Sequence, residues 1–551
     1  MHLLDYISIT FFAIGILITG LLFSRSGKSM KNFFTAGGAV PWTMGGLSLF
    51  MGFFSAGTFV VWGSIAYSAG WVAVTIQWTM CIAGFLVGLF LAPRWRKTGV
   101  LTAAEYITQR FGVTTQKTYT LLFLFVSLFT TGSFLYPVGK ILEVSTGLPL
   151  STCILLIGGI SILYVTVGGL RAVVVTDVLQ FIILFAAILI VIPLAFDKVG
   201  GVDGFINSVP EQFFHLTNSE YTWGFIIAFG LYNAVFLGGN WAYVQRYTTV
   251  KDESSARKVG YLFGGLYSVS PILWMLPAMI YFVVNPNLNG LNDEGAYLLM
   301  CKEVLPQGIL GLMLGGMVFA TASSLNATLN ISAGVFTNDI FKRLFPHSDD
   351  GLLVRVARIS TICFGIMAIV VALLIPLMGG VVNVVISVGA LTGVPLYLPI
   401  IWTLFSKRQT RRSVLTVTLV SLGVNLIFKF LTPLCFDFGL NRAQEMVLGV
   451  SFPFVCLLGY EIWYKLKGIE TETCQMAVAT TSTEPQVSEE ERKETLKDNQ
   501  FSQRVVGIGI FIVGLVVLTL GLINTYGRIP VICVSALLIL LGIVIYLKKL
   551  K

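Results

Sequence analysis

Apolar runs of about 20 residues recur along nearly the whole chain, separated by short polar stretches. Fifteen can be marked, at about 5–24, 42–68, 70–93, 118–145, 150–168, 173–196, 222–242, 259–284, 305–337, 352–378, 381–405, 411–433, 442–464, 505–525 and 528–547. A helix of that length crosses about 30 Å of hydrocarbon. The pattern therefore predicts an all-α integral membrane protein of about 15 transmembrane helices. Composition agrees: 56% of the residues are hydrophobic and 11% charged, with a mean hydropathy of +0.84, whereas a soluble domain is about a quarter charged. Water is not the main solvent of this chain.

The first run follows Met1-His2-Leu3-Leu4-Asp5 with no basic leader and no small-residue cleavage site, so it reads as a retained helix. The N-terminus is then expected outside. Alternating the loops from that start places 30 of the 36 Lys and Arg on the inner side and the C-terminus in the cytoplasm, as the positive-inside rule requires. The formal charge of +9 is mostly explained by topology, and a nucleic-acid partner is not expected. The eight cysteines form no CxxC pair and the three histidines are not ligand-spaced, which argues against a zinc site or a His-based triad. From 469 to 504 the chain turns polar, with Thr480-Thr481-Ser482-Thr483-Glu484-Pro485 and Glu489-Glu490-Glu491-Arg492-Lys493. That composition buries no core and is expected to form a cytoplasmic linker.

Three segments depart from plain apolar helix, as the broken helices that line transporter sites do. In the second run, Gly45-Gly46-Leu47-Ser48-Leu49-Phe50-Met51-Gly52-Phe53-Phe54-Ser55-Ala56-Gly57-Thr58 concentrates glycine and hydroxyl residues. Each glycine weakens a helix by roughly 0.5 to 1 kcal/mol relative to alanine. An unwound turn frees carbonyl oxygens, hard donors that hold an alkali cation without a formal charge in lipid; close helix packing is the alternative. In the ninth run, Ser323 and Ser324 follow Ala320 by about one turn, so three oxygens can face a partner helix, although serines also bond back to the i−4 carbonyl. In the third, Thr176-Asp177 precedes a long apolar run. An ionisable group there is either functional or a cap or first-turn carboxylate favoured by the helix dipole.

Together these segments resemble the sodium/solute symporter family, which includes sodium/glucose and sodium/proline symporters, and the resemblance covers most of the chain. It is carried by Gly168-Gly169-Leu170-Arg171-Ala172-Val173 running on to Thr176-Asp177-Val178-Leu179-Gln180, and by Ser323-Ser324-Leu325 with Leu329-Asn330 and Thr337-Asn338-Asp339-Ile340. Val244-Gln245-Arg246-Tyr247 and Leu101-Thr102-Ala103-Ala104-Glu105-Tyr106 before Arg110-Phe111-Gly112 complete it. The resemblance implies a LeuT-like core of two inverted five-helix repeats, here 42–196 and 222–405, joined by an extracellular loop at 197–221. Residues 1–41 would be a peripheral helix and first cytoplasmic loop, 406–468 peripheral helices, 469–504 the linker and 505–551 two C-terminal helices.

Carried across by residue, the family's main sodium site falls on the carbonyls of Met51, Phe54 and Ala320 and the hydroxyls of Ser323 and Ser324. Asn326 and Ala327 stand where members with a second sodium continue the set, so one sodium is expected. Asp177 falls on the sodium release path. The solute positions of the sugar-carrying branch fall on Phe53, Thr58, Gln77, Asn233 and Tyr267, and the inner aromatic gate on Phe236. Gln77 replaces that branch's glutamate and Tyr267 a lysine of some members. The expected function is sodium-coupled import of a small polar organic solute, a sugar or sugar derivative in the first place, across the cell membrane by alternating access. A monocarboxylate or amino-acid symporter and a non-transporting sensor are the alternatives. An enzyme is not expected, since Asp177 has no convergent acids or bases at membrane depth. The partners expected are the solute, sodium and the lipid bilayer, while the oligomeric state is left open.

Overall fold

The computed structural model describes residues 2–23, 40–100, 102–164, 170–436, 438–468 and 489–547. These are helical almost throughout: α1 (Leu3–Phe23), α2 (Trp42–Met51), α3 (Gly63–Ala69), α4 (Trp71–Leu86), α5 (Val113–Thr146), α6 (Leu150–Tyr164), α7 (Leu170–Lys198), α8 (Trp223–Gly239) and α9 (Trp241–Thr248). They continue with α10 (Glu253–Val284), α11 (Ile309–Val335), α12 (Asp350–Leu374), α13 (Val381–Val388), α14 (Val394–Trp402), α15 (Arg411–Leu426), α16 (Arg442–Leu466), α17 (Glu489–Ile523) and α18 (Arg528–Leu547).

Every apolar run meets a helix, and the described residues establish part of the expected count of fifteen spans. Among the described residues ten helices are long and apolar enough to cross a membrane, and α8 with α9, bent by 60°, can make an eleventh. Four runs hold shorter described apolar segments, Leu3–Gly15, Thr58–Ala69, Leu150–Gly159 and Ile309–Ala322, of which the first and last belong to the longer helices α1 and α11. At Thr58–Ala69 the cause is the break that divides the second run into α2 and α3. The linker is also shorter than its composition suggests. Residues 469–488 lie outside the described residues, and 489–504 form the first turns of α17. That stretch is free of proline and glycine and rich in Glu and Lys, good helix formers that extend an existing helix at little cost.

The helices that carry the predicted site residues pack together: α2 lies against α7 and α10, α4 against α8 and α10, and α11 against α1, α5 and α7. The contact of α1 with α11 is polar at its end. Asp5, 1% exposed, accepts through Oδ1 from the Gly308 (2.7 Å) and Gly311 (3.1 Å) amides. A helix N-terminus leaves such donors without partners, and here a carboxylate from another helix supplies the acceptor and the charge that the dipole favours. Gly311 permits the approach, since a Cβ there would lie 2.1 Å from the Asp5 carbonyl oxygen. The α17–α18 hairpin closes similarly. A Cβ at Gly542 would lie 2.7 Å from the Phe511 amide nitrogen, the small-residue packing typical of membrane helices.

A second buried carboxylate ties the loop between α10 and α11 to the bundle. Glu294 accepts from the Tyr136 hydroxyl (2.7 Å) and from the Val381 amide at the start of α13 (2.9 Å). Its neighbour Asp293 accepts from Ser64 of α3 at 2.8 Å. Burial is the largest influence on both carboxyls and pushes them above the ordinary carboxylate range.

Candidate ion and solute sites

The second run breaks where its sequence is weakest. α2 ends at Met51, and the Phe53 and Phe54 amides fold back on the Phe50 carbonyl at 3.0 and 3.1 Å. The Met51 carbonyl accepts from the Phe54 amide at 3.2 Å, which leaves it a second lone pair. Beyond the break the chain recovers through a wide turn, Thr58–Trp62, into α3. Thr58 stitches that turn: its Oγ1 accepts from the Ser55 amide at 3.3 Å and donates to the Phe53 carbonyl. The Ala56 amide finds its acceptor on another helix, donating to Thr321 Oγ1 of α11 at 3.0 Å.

Adjacent phenylalanines pin the break on two sides. Phe54 stacks on Trp274 at a centroid distance of 4.8 Å and meets Phe59 at 5.4 Å. Phe53 instead meets Tyr243 at 4.7 Å and Phe263 at 5.4 Å. Such ring pairs add about 0.5 to 1.5 kcal/mol each beyond their buried area.

Of the expected sodium ligands, Met51 and Ser324 line one cavity, and Ser324 Oγ lies 3.4 Å from the Ala320 carbonyl oxygen. That long bond is the i−4 return weighed from the sequence, so both oxygens lie together on one face of α11. The Ala56 amide, two residues beyond Phe54, bonds to Thr321, the residue after Ala320. The Ser323 side chain lies outside the described residues. Sequence reasoning missed Thr321, although a hydroxyl one residue beyond Ala320 was in view.

Phe53, Thr58, Gln77, Asn233 and Tyr267 all line a single cavity enclosing about 1130 Å³ of atom-free space, and Phe236 lines it too. Gln77 comes from α4, Asn233 and Phe236 from α8, and Tyr267 from α10. Asn233 Nδ2 donates to Thr79 Oγ1 at 2.8 Å, and Thr79 passes its own proton to the Ile76 carbonyl at 2.5 Å. That chain fixes the Asn233 amide. Thr79 was not foreseen, and its position two residues after Gln77 was the only clue. No Asp, Glu, Lys, Arg or His is among the described residues that line this cavity. Its polar groups are amides and hydroxyls set among aromatic rings.

Phe236 belongs to an aromatic cluster, with centroids 5.5 Å from Tyr232, 5.6 Å from Tyr243 and 6.0 Å from Tyr397. Phe236, Tyr243 and Tyr397 line this cavity and also the cavity of Met51 and Ser324, as do Gly52, Val126, Thr130 and Phe134. The three rings are therefore part of a shared wall. Tyr232 reaches its place because α14 is preceded by Gly393, where a Cβ would lie 2.3 Å from its ring.

Asp177 sits two turns inside α7, which removes the cap and first-turn readings. It is 6% exposed and accepts from Ser48 Oγ of α2 at 2.8 Å. With Ser48, Asn240, Arg246, Ser324 and Thr328 it lines the cavity of Met51, which encloses about 890 Å³. The structure thus brings Asp177 to the same space as two of the expected sodium ligands. Two other signature stretches hold helix ends. Thr102 caps the short helix Ala103–Phe111 by accepting from the Glu105 amide at 3.1 Å. Arg110 donates to the Thr403 and Ser406 carbonyls beyond α14, both at 2.6 Å.

Known proteins share the sequence pattern and the fold. The sequence profile of the sodium:solute symporter family matches residues 33–420. The sodium/glucose cotransporter of Vibrio parahaemolyticus is 29% identical over 502 residues, 83% of this chain and 90% of that protein. The sodium/sialic acid symporter of Proteus mirabilis is 27% identical over 372 residues, 65% and 75% of the two chains. Among solved structures, a sodium-coupled sialic acid symporter in a substrate-bound outward-open state superposes with a TM-score of 0.69 at 24% identity, covering 84% of this chain and 98% of that one. The nucleobase-cation-symport-1 transporter Mhp1 shares the fold at a TM-score of 0.54 and 17% identity, covering 81% and 98%. Since the matched profile spans well over half its length, this multi-pass membrane chain belongs to the sodium:solute symporter family, whose coupling ion is sodium.

Proposed function

We propose that the protein imports a small polar organic solute, a sugar or sugar derivative before other classes, by sodium-coupled symport with alternating access. The observation that carries this reading is the meeting of Phe53, Thr58, Gln77, Asn233, Tyr267 and Phe236 on one uncharged cavity, beside the break whose Met51 shares a second cavity with Ser324. Amides, hydroxyls and stacked rings suit a hydroxylated neutral ring, whereas a carboxylate solute calls for a cationic partner. In this reading one sodium is held by the carbonyls of Met51, Phe54 and Ala320 and the hydroxyls of Ser323 and Ser324. It binds between segments of two inverted five-helix repeats within about fifteen spans, and Asp177 lies on its release path. The protein resides in the cell membrane with its N-terminus outside and its C-terminus in the cytoplasm.

The energetics permit strong accumulation. A potential of 100 mV contributes about 2.3 kcal/mol per charge and a tenfold gradient about 1.4, so one sodium supports an enrichment on the order of several hundredfold. The test is uptake of labelled sugars, polyols, amino acids and carboxylates into proteoliposomes under an inward sodium gradient. Accumulation of a sugar or polyol that collapses without sodium is expected. A solute concentrated equally well without sodium removes symport, and accumulation of an amino acid or simple carboxylate in place of every sugar, polyol or sugar derivative removes the sugar preference.

A further inference from the structure

The contact between the break and α11 runs through a residue outside the expected ligand set. Thr321 is fully buried, so water cannot serve the groups it touches. Its Oγ1 donates to the Met317 carbonyl one turn back at 2.8 Å, which aims its lone pairs away from its own helix, and it accepts from the Ala56 amide at 3.0 Å. A threonine inside a helix has few χ1 states, and the return bond to the i−4 carbonyl selects one. The Ala56 amide belongs to the turn that resumes the broken run, and a resuming helix leaves its first amides without internal acceptors. An unmet donor at this depth costs about as much as a lost hydrogen bond.

Thr321 directly follows Ala320 and lies one turn before Ser324, while Ala56 lies two residues beyond Phe54. A single hydrogen bond therefore fixes the register between the two segments that carry the proposed sodium ligands. We propose that Thr321 is a positioning residue for that ion: it holds the broken turn against the Ala320–Ser324 turn, so that the oxygens of both already converge before sodium arrives. The inference rests on the sodium-symport reading above. Its physical content is preorganisation, in which ordering that exists before binding does not have to be supplied by the ion.

The test needs no knowledge of the solute. The purified full chain is titrated with sodium chloride against N-methylglucamine chloride at constant ionic strength, and the thermal midpoint is followed to its half-maximal rise. Thr321→Val keeps the shape and removes the acceptor, and it should raise the half-saturating sodium concentration by about tenfold, a change worth about 1.4 kcal/mol. Thr321→Ser restores the hydroxyl and should stay within about twofold of wild type on the same scale. A merely structural role lowers the midpoint equally at every sodium concentration and leaves half-saturation unmoved, and that result overturns the proposal. Should Thr321→Val fail to fold, Thr321→Cys offers a weakly accepting sulfur of similar size and is read the same way. A wild type that gains no stability from sodium removes the symport reading itself and the inference with it. A responsive wild type whose Thr321→Val variant tracks it removes only the role of Thr321.

Discussion

Replacing Asp5 tests how much the peripheral helix α1 contributes to the helix that carries Ala320 and Ser324. Asp5→Ala removes the acceptor of two buried amides, Gly308 and Gly311, and each unpaired donor costs about 1 to 3 kcal/mol. Losing a carboxylate at a helix N-terminus adds about 0.3 to 1 kcal/mol. The expected destabilisation is therefore about 3 to 5 kcal/mol, discounted for a small residue that lets water reach the site. Asp5→Asn keeps one oxygen in place for both amides and loses mainly the charge. Its Nδ2 would also face the His2 amide, which now donates to Oδ2 at 2.8 Å. A loss of about 1 to 2 kcal/mol is expected for this variant. Unfolding free energies measured in mixed dodecyl maltoside and SDS micelles at neutral pH give the ordering wild type, Asn, Ala. A free energy for Asp5→Ala within about 0.5 kcal/mol of wild type, the range of an unremarkable surface change, would refute the capping argument. Equal losses in both variants would assign the effect to charge alone.

Asn233→Ala removes the bond to Thr79 and one amide of the solute cavity, and solute KM should rise by about tenfold, the worth of one hydrogen bond, with sodium activation unchanged. Uptake kinetics that match wild type in both Asn233→Ala and Gln77→Ala would empty the proposed cavity of its solute. Asp177→Asn should shift the sodium dependence of uptake more than solute KM, because the carboxylate attracts the departing ion; coincident sodium curves would return Asp177 to a structural role, of which its bond from Ser48 is one part. Glu294 carries a pH signature. Burial raises its carboxyl above the ordinary 4.5, so the folded state favours the protonated form, and this contribution is complete at low pH and lost as pH rises through the raised value. The thermal midpoint should accordingly fall above pH 4.5, and Glu294→Gln should flatten the fall, leaving the share of Asp293, which is raised for the same reason. A profile identical to wild type would exclude Glu294 as its source.

What could be read from the sequence is what local chemistry decides. Glycines and hydroxyls at Gly45 to Thr58 weaken one helix, and the chain breaks there, after Met51. Long apolar runs become helices wherever nothing interrupts them. The family resemblance carried six scattered positions, from Phe53 to Tyr267, and they line one cavity. What could not be read are pairings made across the fold. Asp5 meets Gly308 across a sequence separation of 303 and Ala56 meets Thr321 across one of 265. Each pair satisfies a backbone donor, and the identity of an amide's partner leaves no mark in the residue that owns it. A lone aspartate near the N-terminus therefore reads as solvated, and a threonine beside two serines as one more helical hydroxyl. The linker was misjudged at 489–504 for a related reason: charge content indicates the lack of a core, but it does not oppose helix when the charged residues are Glu and Lys.

These cross-fold bonds bear on how an ion and an uncharged solute are coupled. The described residues lining the solute cavity carry no charge, so sodium does not act there through a salt bridge or by neutralising a side chain. Coupling has to pass through shape, and requires that the ion bind one conformation better than another. Phe53 and Phe54 show where shape can carry it. Adjacent in sequence, they pack on different partners, Phe54 on Trp274 and Phe53 on Tyr243. The Phe54 carbonyl is a proposed sodium ligand, while the Phe53 ring lines the solute cavity and faces Phe236 at 6.3 Å. A turn this short cannot move at one residue and stay still at the next. Whatever conformation of Met51 to Phe54 against the Ala320–Ser324 turn the ion stabilises is thereby passed to the wall of the proposed solute cavity. Asp177, the carboxylate among the described residues lining the cavity of Met51, takes no part in that transmission.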